Sequence, residues 1–210
     1  MKVFYPVFGF VLFLMVGCFD MSEPTLPVYG FKKVVEKTVN GETIIDSLDH
    51  QIPPFSLVDQ DSTVITEKTV NGKIYLVDFF FTSCFTICPK VKKNMKRVYQ
   101  TYKDQEDVLI LSHSIDYRYD TVGRLAWYAD KFGIEAEKWH LLHGSYDDML
   151  RMSYAYLLTA LEDKEAPGGF DHSGSIALLD RKRRIRGFYD GTDADKMDDL
   201  IRDIAILLNE

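Results

Sequence analysis

Chemistry in this 210-residue chain is concentrated in one short segment, Phe81-Thr82-Ser83-Cys84-Phe85-Thr86-Ile87-Cys88-Pro89, which sets two cysteines four residues apart. Residues i and i+4 on a helical turn point the same way, so both sulfurs can face one point in space. The unpaired amides and positive end of a helix start favour thiolate, the form that binds metals and attacks electrophiles. Two soft thiolates favour cuprous copper, and an added imidazole gives a set able to hold the cupric ion too. The chain carries five histidines, His50, His113, His140, His143 and His172. His172 lies in Gly168-Gly169-Phe170-Asp171-His172-Ser173-Gly174, a glycine-flanked loop immediately before a strand, and loops present functional groups from a rigid base. The same cysteine pair suits thiol–disulfide exchange, which needs no histidine. A structural bridge across three residues would close so small a loop that it stabilises little.

The elements around the segment are built to hold it. Ile74 to Phe81 is a continuous apolar run broken by one Asp, as expected of a central strand buried on both faces. Pro89 to Tyr102 places Val91, Met95, Val98 and Tyr102 at helical spacing, with Pro89 in the first turn. The remaining pattern predicts strands at 55–59, 62–66, 108–115 and 139–142. Helices are predicted at 121–132, closed by Gly133, and at 146–161. A hairpin of 175–179 with 185–189 and a last helix at 194–208 complete it. Strands alternating with helices give an α/β fold with a central mixed β-sheet flanked by helices. Ahead of it, Asn40-Gly41 between two β-prone runs predicts an N-terminal β-hairpin.

Other polar clusters read as ordinary surface. His140 and His143 stand on opposite faces if they share a strand, and are expected to be unrelated surface or edge histidines. His50 and His113 are expected to be structural. The run Lys90, Lys92, Lys93, Lys96 and Arg97 is expected to be a solvated helix face, with steering of an acidic partner as the alternative. Arg181-Lys182-Arg183-Arg184 reads as a charged hairpin turn. The net charge of -7 leaves no electrostatic footprint for nucleic acid, which is excluded as a partner. An apolar content of 46% excludes disorder.

The third cysteine has a different setting. Met1-Lys2 is followed by an uncharged run from Val3 to Phe19, the charged start and apolar middle of a signal peptide. Its end, Met15-Val16-Gly17-Cys18, resembles the lipobox of bacterial lipoproteins, which implies lipidation of Cys18; the alternative is an uncleaved N-terminal anchor with Cys18 an apolar residue at its end. The expected organisation is therefore a signal peptide over 1–17, a tether over 18–30, the hairpin over 31–48 and the main domain over 49–210. The chain is expected to be exported and membrane-anchored through its N-terminal lipid, with the domain facing the periplasm or cell exterior.

From about Gln51 onward the sequence resembles the Sco family, also called SenC or PrrC. The resemblance is carried by Val77-Asp78-Phe79-Phe80-Phe81-Thr82-Ser83-Cys84, the C-x-x-x-C-P motif, Ser114-Ile115-Asp116 followed by Asp120-Thr121, and Asp171-His172-Ser173. It implies a thioredoxin-like fold and a copper metallochaperone that helps build the binuclear copper centre of cytochrome c oxidase. The family's copper ligands fall on Cys84, Cys88 and His172, for Cu(I) or Cu(II). Asp116 matches an acidic position near the family's site without a ligand role. The implied recipient is the apo copper subunit of cytochrome c oxidase or another cuproprotein. The alternative is a thiol–disulfide oxidoreductase that uses Cys84 and Cys88 as its redox-active pair to reduce the recipient's cysteines.

Overall fold

The computed structural model describes residues 24–39, 42–163, 165–166 and 169–210, with the backbone alone at positions 39, 42, 171 and 172. The signal peptide, Cys18 and the start of the tether lie outside the described residues, as does the Asn40-Gly41 turn. In chain order come β1 (Lys33–Val39), β2 (Glu42–Leu48), β3 (Ser56–Val58), β4 (Val64–Thr66), β5 (Ile74–Phe80), α1 (Cys88–Tyr102), β6 (Val108–Ser114) and α2 (Val122–Phe132). They are followed by β7 (Trp139–Leu142), α3 (Tyr146–Tyr156), β8 (Ala160–Glu162), β9 (Phe170–His172), β10 (Ser175–Leu179), β11 (Ile185–Asp190) and α4 (Ala194–Asn209).

The central sheet has the order β11-β10-β5-β6-β7. Strands β5, β6 and β7 run parallel, while β10 runs antiparallel to both β5 and β11. The sheet is thus mixed, as the element pattern predicts. Every residue of β5 is buried, and its side chains alternate between two cores. Ile74, Leu76 and Phe80 pack with the apolar stripes of α1, α2 and α4, among them Met95, Leu125 and Leu200. Tyr75, Val77 and Phe79 face the other way, towards α3 and the β3–β4 ribbon, among Met152, Tyr156, Leu57 and Ile65. A strand covered on both faces is the rigid base from which the cysteine segment springs.

Local chemistry sets the helix limits. Thr121 caps α2 by accepting from the Arg124 amide, and Gly133 closes it in the left-handed region at φ 61°. Ser145 and Asp148 form a reciprocal capping box at the start of α3. That helix ends at Tyr156, five residues short of the expected limit, because Leu157 turns left-handed at φ 57°. The chain then enters β8, which pairs antiparallel with β9. His172 consequently lies at the end of a strand, opposite Ala160, rather than in the loop its flanking glycines suggest. Strands β1 and β2 form the expected hairpin, with Val39 opposite Glu42.

Candidate metal centre

Helix α1 begins without a side-chain cap: Ile87 occupies the N-cap position, and Pro89 sits in the first turn. The other three helices each have a capping side chain, so α1 alone among them leaves amides at its start for another acceptor. Cys84 supplies it. The residue precedes the helix in the loop after β5, so the two sulfurs meet because the loop folds over the helix start, not because they share a helical turn. The Cys84 sulfur takes hydrogen bonds from the Cys88 thiol, the Thr86 hydroxyl and the backbone amides of Cys88 and Thr86. Burial pushes the Cys84 thiol up, but these donors together outweigh it and hold the group below the usual thiol range. Cys88 goes the opposite way. Only 5% exposed, it is pushed up by burial, by its hydrogen bond to Cys84 and by the charge there. One turn thus holds a half-exposed sulfur disposed to be thiolate beside a buried one disposed to keep its proton.

The loop is held at its root by Asp120. This fully buried carboxylate accepts from the Thr82 amide at 2.9 Å, from the Thr82 hydroxyl and from the Ser114 hydroxyl at 2.7 Å. Arg124 Nε–H donates to the Thr82 hydroxyl from α2. Asp120 therefore ties the exit of β5 to the end of β6 and the start of α2. Asp116 instead serves the local turn, accepting from the Tyr119 amide.

The backbone of β9 lies beside the same loop. The Phe170 ring packs 5.3 Å from Phe81. At Gly174 a Cβ would come 3.2 Å from Ile87 and 3.4 Å from Val91, so the chain passes close against the first turn of α1. His172 lies between these two anchored positions, and its side chain is outside the described residues. Among the described residues, no group of three His, Cys, Asp or Glu side chains is placed to hold a metal ion. The donor set suits copper: two sulfurs at an amide-rich helix start are soft ligands for the cuprous ion.

The other histidines are placed elsewhere. His140 is not a surface residue: it is buried on edge strand β7, with Nδ1 2.9 Å from Asp59 Oδ2. His143 is bridged through its backbone to Val58, and the two do not form a site. His50 meets the Ala155 carbonyl at 2.7 Å. His113 is buried between the Phe79 and Tyr156 rings, and burial drives its pKa down to about 3, which makes it a neutral core residue. Arg181 to Arg184 form the β10–β11 turn as expected.

The roles of two residues near the site escape the sequence reading. Asp120 appears there only as part of the family motif, with no anchoring role assigned. Lys92 belongs to none of the solvated face assigned to it. It is 9% exposed, with Nζ 3.8 Å from the Tyr128 ring centroid and 4.7 Å from that of Phe80, and burial lowers its pKa to about 8 against the pull of Asp78. The spacing 88–92–95–99 is the missed signal, because it sets Lys92 on the face of α1 that carries Cys88.

Comparison with known proteins gives the family. The SCO1/SenC family model matches residues 46–209, and the chain belongs to that family. It is 28% identical to a SCO1/SenC family lipoprotein from Bacillus anthracis str. Ames, covering 75% of this chain and 95% of that one, with a TM-score of 0.68. BsSco, described as a member of the Sco family of cytochrome c oxidase assembly proteins with a disulfide switch, is 25% identical over 76% of this chain and 94% of its own, at a TM-score of 0.66. Arabidopsis thaliana ScoI, solved with copper bound, is 27% identical over 73% of this chain and 97% of its own, at a TM-score of 0.60. The fold is the thioredoxin-like fold of the Sco proteins.

Proposed function

We propose that this protein binds one copper ion through Cys84, Cys88 and His172 and passes it to the apo copper subunit of cytochrome c oxidase or to another cuproprotein. The observation that carries the reading is the cysteine pair at the uncapped start of α1. The chain's own amides stabilise Cys84 as thiolate, and Cys88 needs only to surrender its proton as the metal takes the pair. Release then proceeds by ligand exchange, with a recipient's ligands replacing these donors one at a time, so the cargo is never set free in water. The copper-bound Arabidopsis relative supports the choice of metal, and BsSco supports the choice of recipient.

The proposed organisation is a signal peptide over 1–17, a lipidated Cys18 opening a tether over 18–30, a hairpin over 31–48 and the Sco domain over 49–210. The lipoprotein relative supports export and anchoring with the domain outside the cytoplasm. The seating of the tether's end is consistent with it. Arg186 binds the carbonyls of Leu26 and Pro27, and the Tyr29 amide donates to the Ile185 carbonyl. Ile185 is opposite Leu179, which pairs with Tyr75 near the start of β5. Cys84 follows the other end of that strand, so an anchored chain turns its site away from the lipid.

The asymmetry of the thiols favours a second reading, thiol–disulfide exchange. Cys84 thiolate attacks a recipient disulfide and releases one recipient thiolate. Cys88 then loses its proton and displaces the other, leaving an intramolecular disulfide here and a dithiol on the recipient. The test is copper titration of the reduced full chain in detergent, alongside Cys84→Ser, Cys88→Ser and His172→Ala. One copper per chain, held much more weakly in either serine variant and weakened for the cupric ion in His172→Ala, is the expected result. A reduced chain that retains no stoichiometric copper but reduces a disulfide substrate overturns the copper reading in favour of the second.

A further inference from the structure

A groove of about 470 Å³ opens beside the cysteine loop, with Cys84 itself on its wall. Its sides are aromatic: Trp127, Tyr128 and Phe132 from α2, Trp139 from β7 and Phe85 from the loop. Phe85 is 78% exposed and Trp127 47%, an unusual outlay of apolar surface next to a reactive thiol. Its charges are all of one sign. Lys92, Lys93 and Lys96 from α1 and Arg124 and Lys131 from α2 line it, and none of the lining residues is acidic. In a chain with a net charge of -7, the four rim cations Lys93, Lys96, Arg124 and Lys131 make a local field opposite to that of the whole molecule, while buried Asp78 offsets Lys92 in part.

The fifth cation lies at the inner wall. Lys92 Nζ is buried and has no hydrogen-bond acceptor. It rests over the rings of Tyr128 and Phe80, which attract the charge but take none of its three N–H donors. A buried ammonium without an acceptor is costly, and the field of Asp78 offsets only part of that cost. The rim cations are satisfied only in part: Lys96 donates to the Phe132 carbonyl, Arg124 stacks over Trp127 at 4.1 Å, and Lys131 lies 5.0 Å from the same ring.

From these observations we infer that the groove receives an acidic, partly apolar segment of the partner protein, with a carboxylate directed at the rim cations Lys93, Lys96, Arg124 and Lys131 and apolar side chains laid against Trp127 and Phe132. The inference rests on the proposed function, in which a partner must come to Cys84, and it states what that partner carries beside its reactive groups. Charge complementarity chooses the occupant: an acidic chain is drawn in, whereas a basic one meets the like charges of the rim. The aromatic walls add what a simple counter-ion would not use.

Both tryptophans of the chain, Trp127 and Trp139, line this groove, so selectively excited tryptophan fluorescence of the full chain reports on it. The probe is a cysteine-free synthetic hexapeptide alternating Asp with Leu, with the Asn-for-Asp peptide as its neutral control. Saturable change with the acidic peptide, absent with the neutral one and falling with added salt, is the expected result. Lys93→Glu with Lys131→Glu, both at exposed positions, should weaken it roughly tenfold. Lys182→Glu, at the far end of the sheet, should leave it unchanged. Equal response to both peptides, indifference to the double variant, or no saturation at millimolar peptide overturns the inference. Displacement by inorganic phosphate or by anionic phosphatidylglycerol vesicles at matched charge overturns it in favour of a general anion or membrane site. Copper titration of the double variant separates the two readings: retained copper with lost peptide binding fails neither, whereas wild-type copper binding without peptide binding fails only the groove.

Discussion

At the scale of single residues, the site works by giving two like groups unlike surroundings. Cys84 is surrounded by donors and Cys88 by apolar side chains, and three intervening residues are enough to separate their proton affinities. Lys92 shows the same principle with the opposite sign. Its folded pKa of about 8 lies below its ordinary 10.5, so below pH 8 both folded and unfolded chains hold the proton and the full burial penalty stands. Between pH 8 and 10.5 the unfolded chain keeps a proton that the folded chain has released, and the penalty is lifted as pH rises. Lys92→Met, which keeps length and removes charge, should therefore be more stable than wild type at pH 7 by about 1 to 3 kcal/mol. The gap should shrink from pH 8 upward. Denaturant melts of the two chains across pH 6 to 10 measure this, and a constant gap contradicts it.

At the scale of elements, the β5–α1 connection depends on Asp120 more than on its own residues. Asp120→Asn replaces one of two acceptor oxygens by a donor and so opposes the Thr82 or Ser114 group it faced. The expected loss is about 1 to 3 kcal/mol in global stability, with faster amide exchange at Thr82 as its local signature. Unchanged exchange there would refute the anchoring role. This carboxylate was hard to find from the sequence because its partners are 6 and 38 residues away. The elements themselves were legible. Continuous apolarity marked β5, and Thr121 and Gly133 bracketed α2, because those signals are local. The end of α3 was missed because Leu157 adopts a left-handed turn that glycine usually marks. The strand holding His172 was missed because its only partner among the described residues is the equally short β8. Lys92 was misread because a five-cation run looks solvated until the Cys88 face of the helix is traced through it.

At the scale of the whole molecule, the sheet separates the clamped N-terminal segment from the cysteine pair. Cys84 lies beyond one end of β5, and the N-terminal segment is clamped near the other, roughly 20 Å away at strand spacing. The clamp is Arg186, 4% exposed in its side chain, which joins Asp180 and Glu210 while binding the Leu26 and Pro27 carbonyls. Arg186→Met should leave Asp180 and those carbonyls without their shared donor and free the segment. Limited proteolysis near Tyr29 is then expected to accelerate several-fold while copper stoichiometry holds. An unchanged cleavage rate would show that the segment is held by other contacts.

The central claim is that copper is held by both sulfurs and one imidazole, and X-ray absorption at the copper edge tests it most directly. The copper-loaded full chain is expected to show two sulfur neighbours and a nitrogen, with one sulfur lost in Cys84→Ser or Cys88→Ser and the imidazole signal lost in His172→Ala. A copper shell of oxygen and nitrogen alone, or a spectrum the same in all four proteins, would contradict the account.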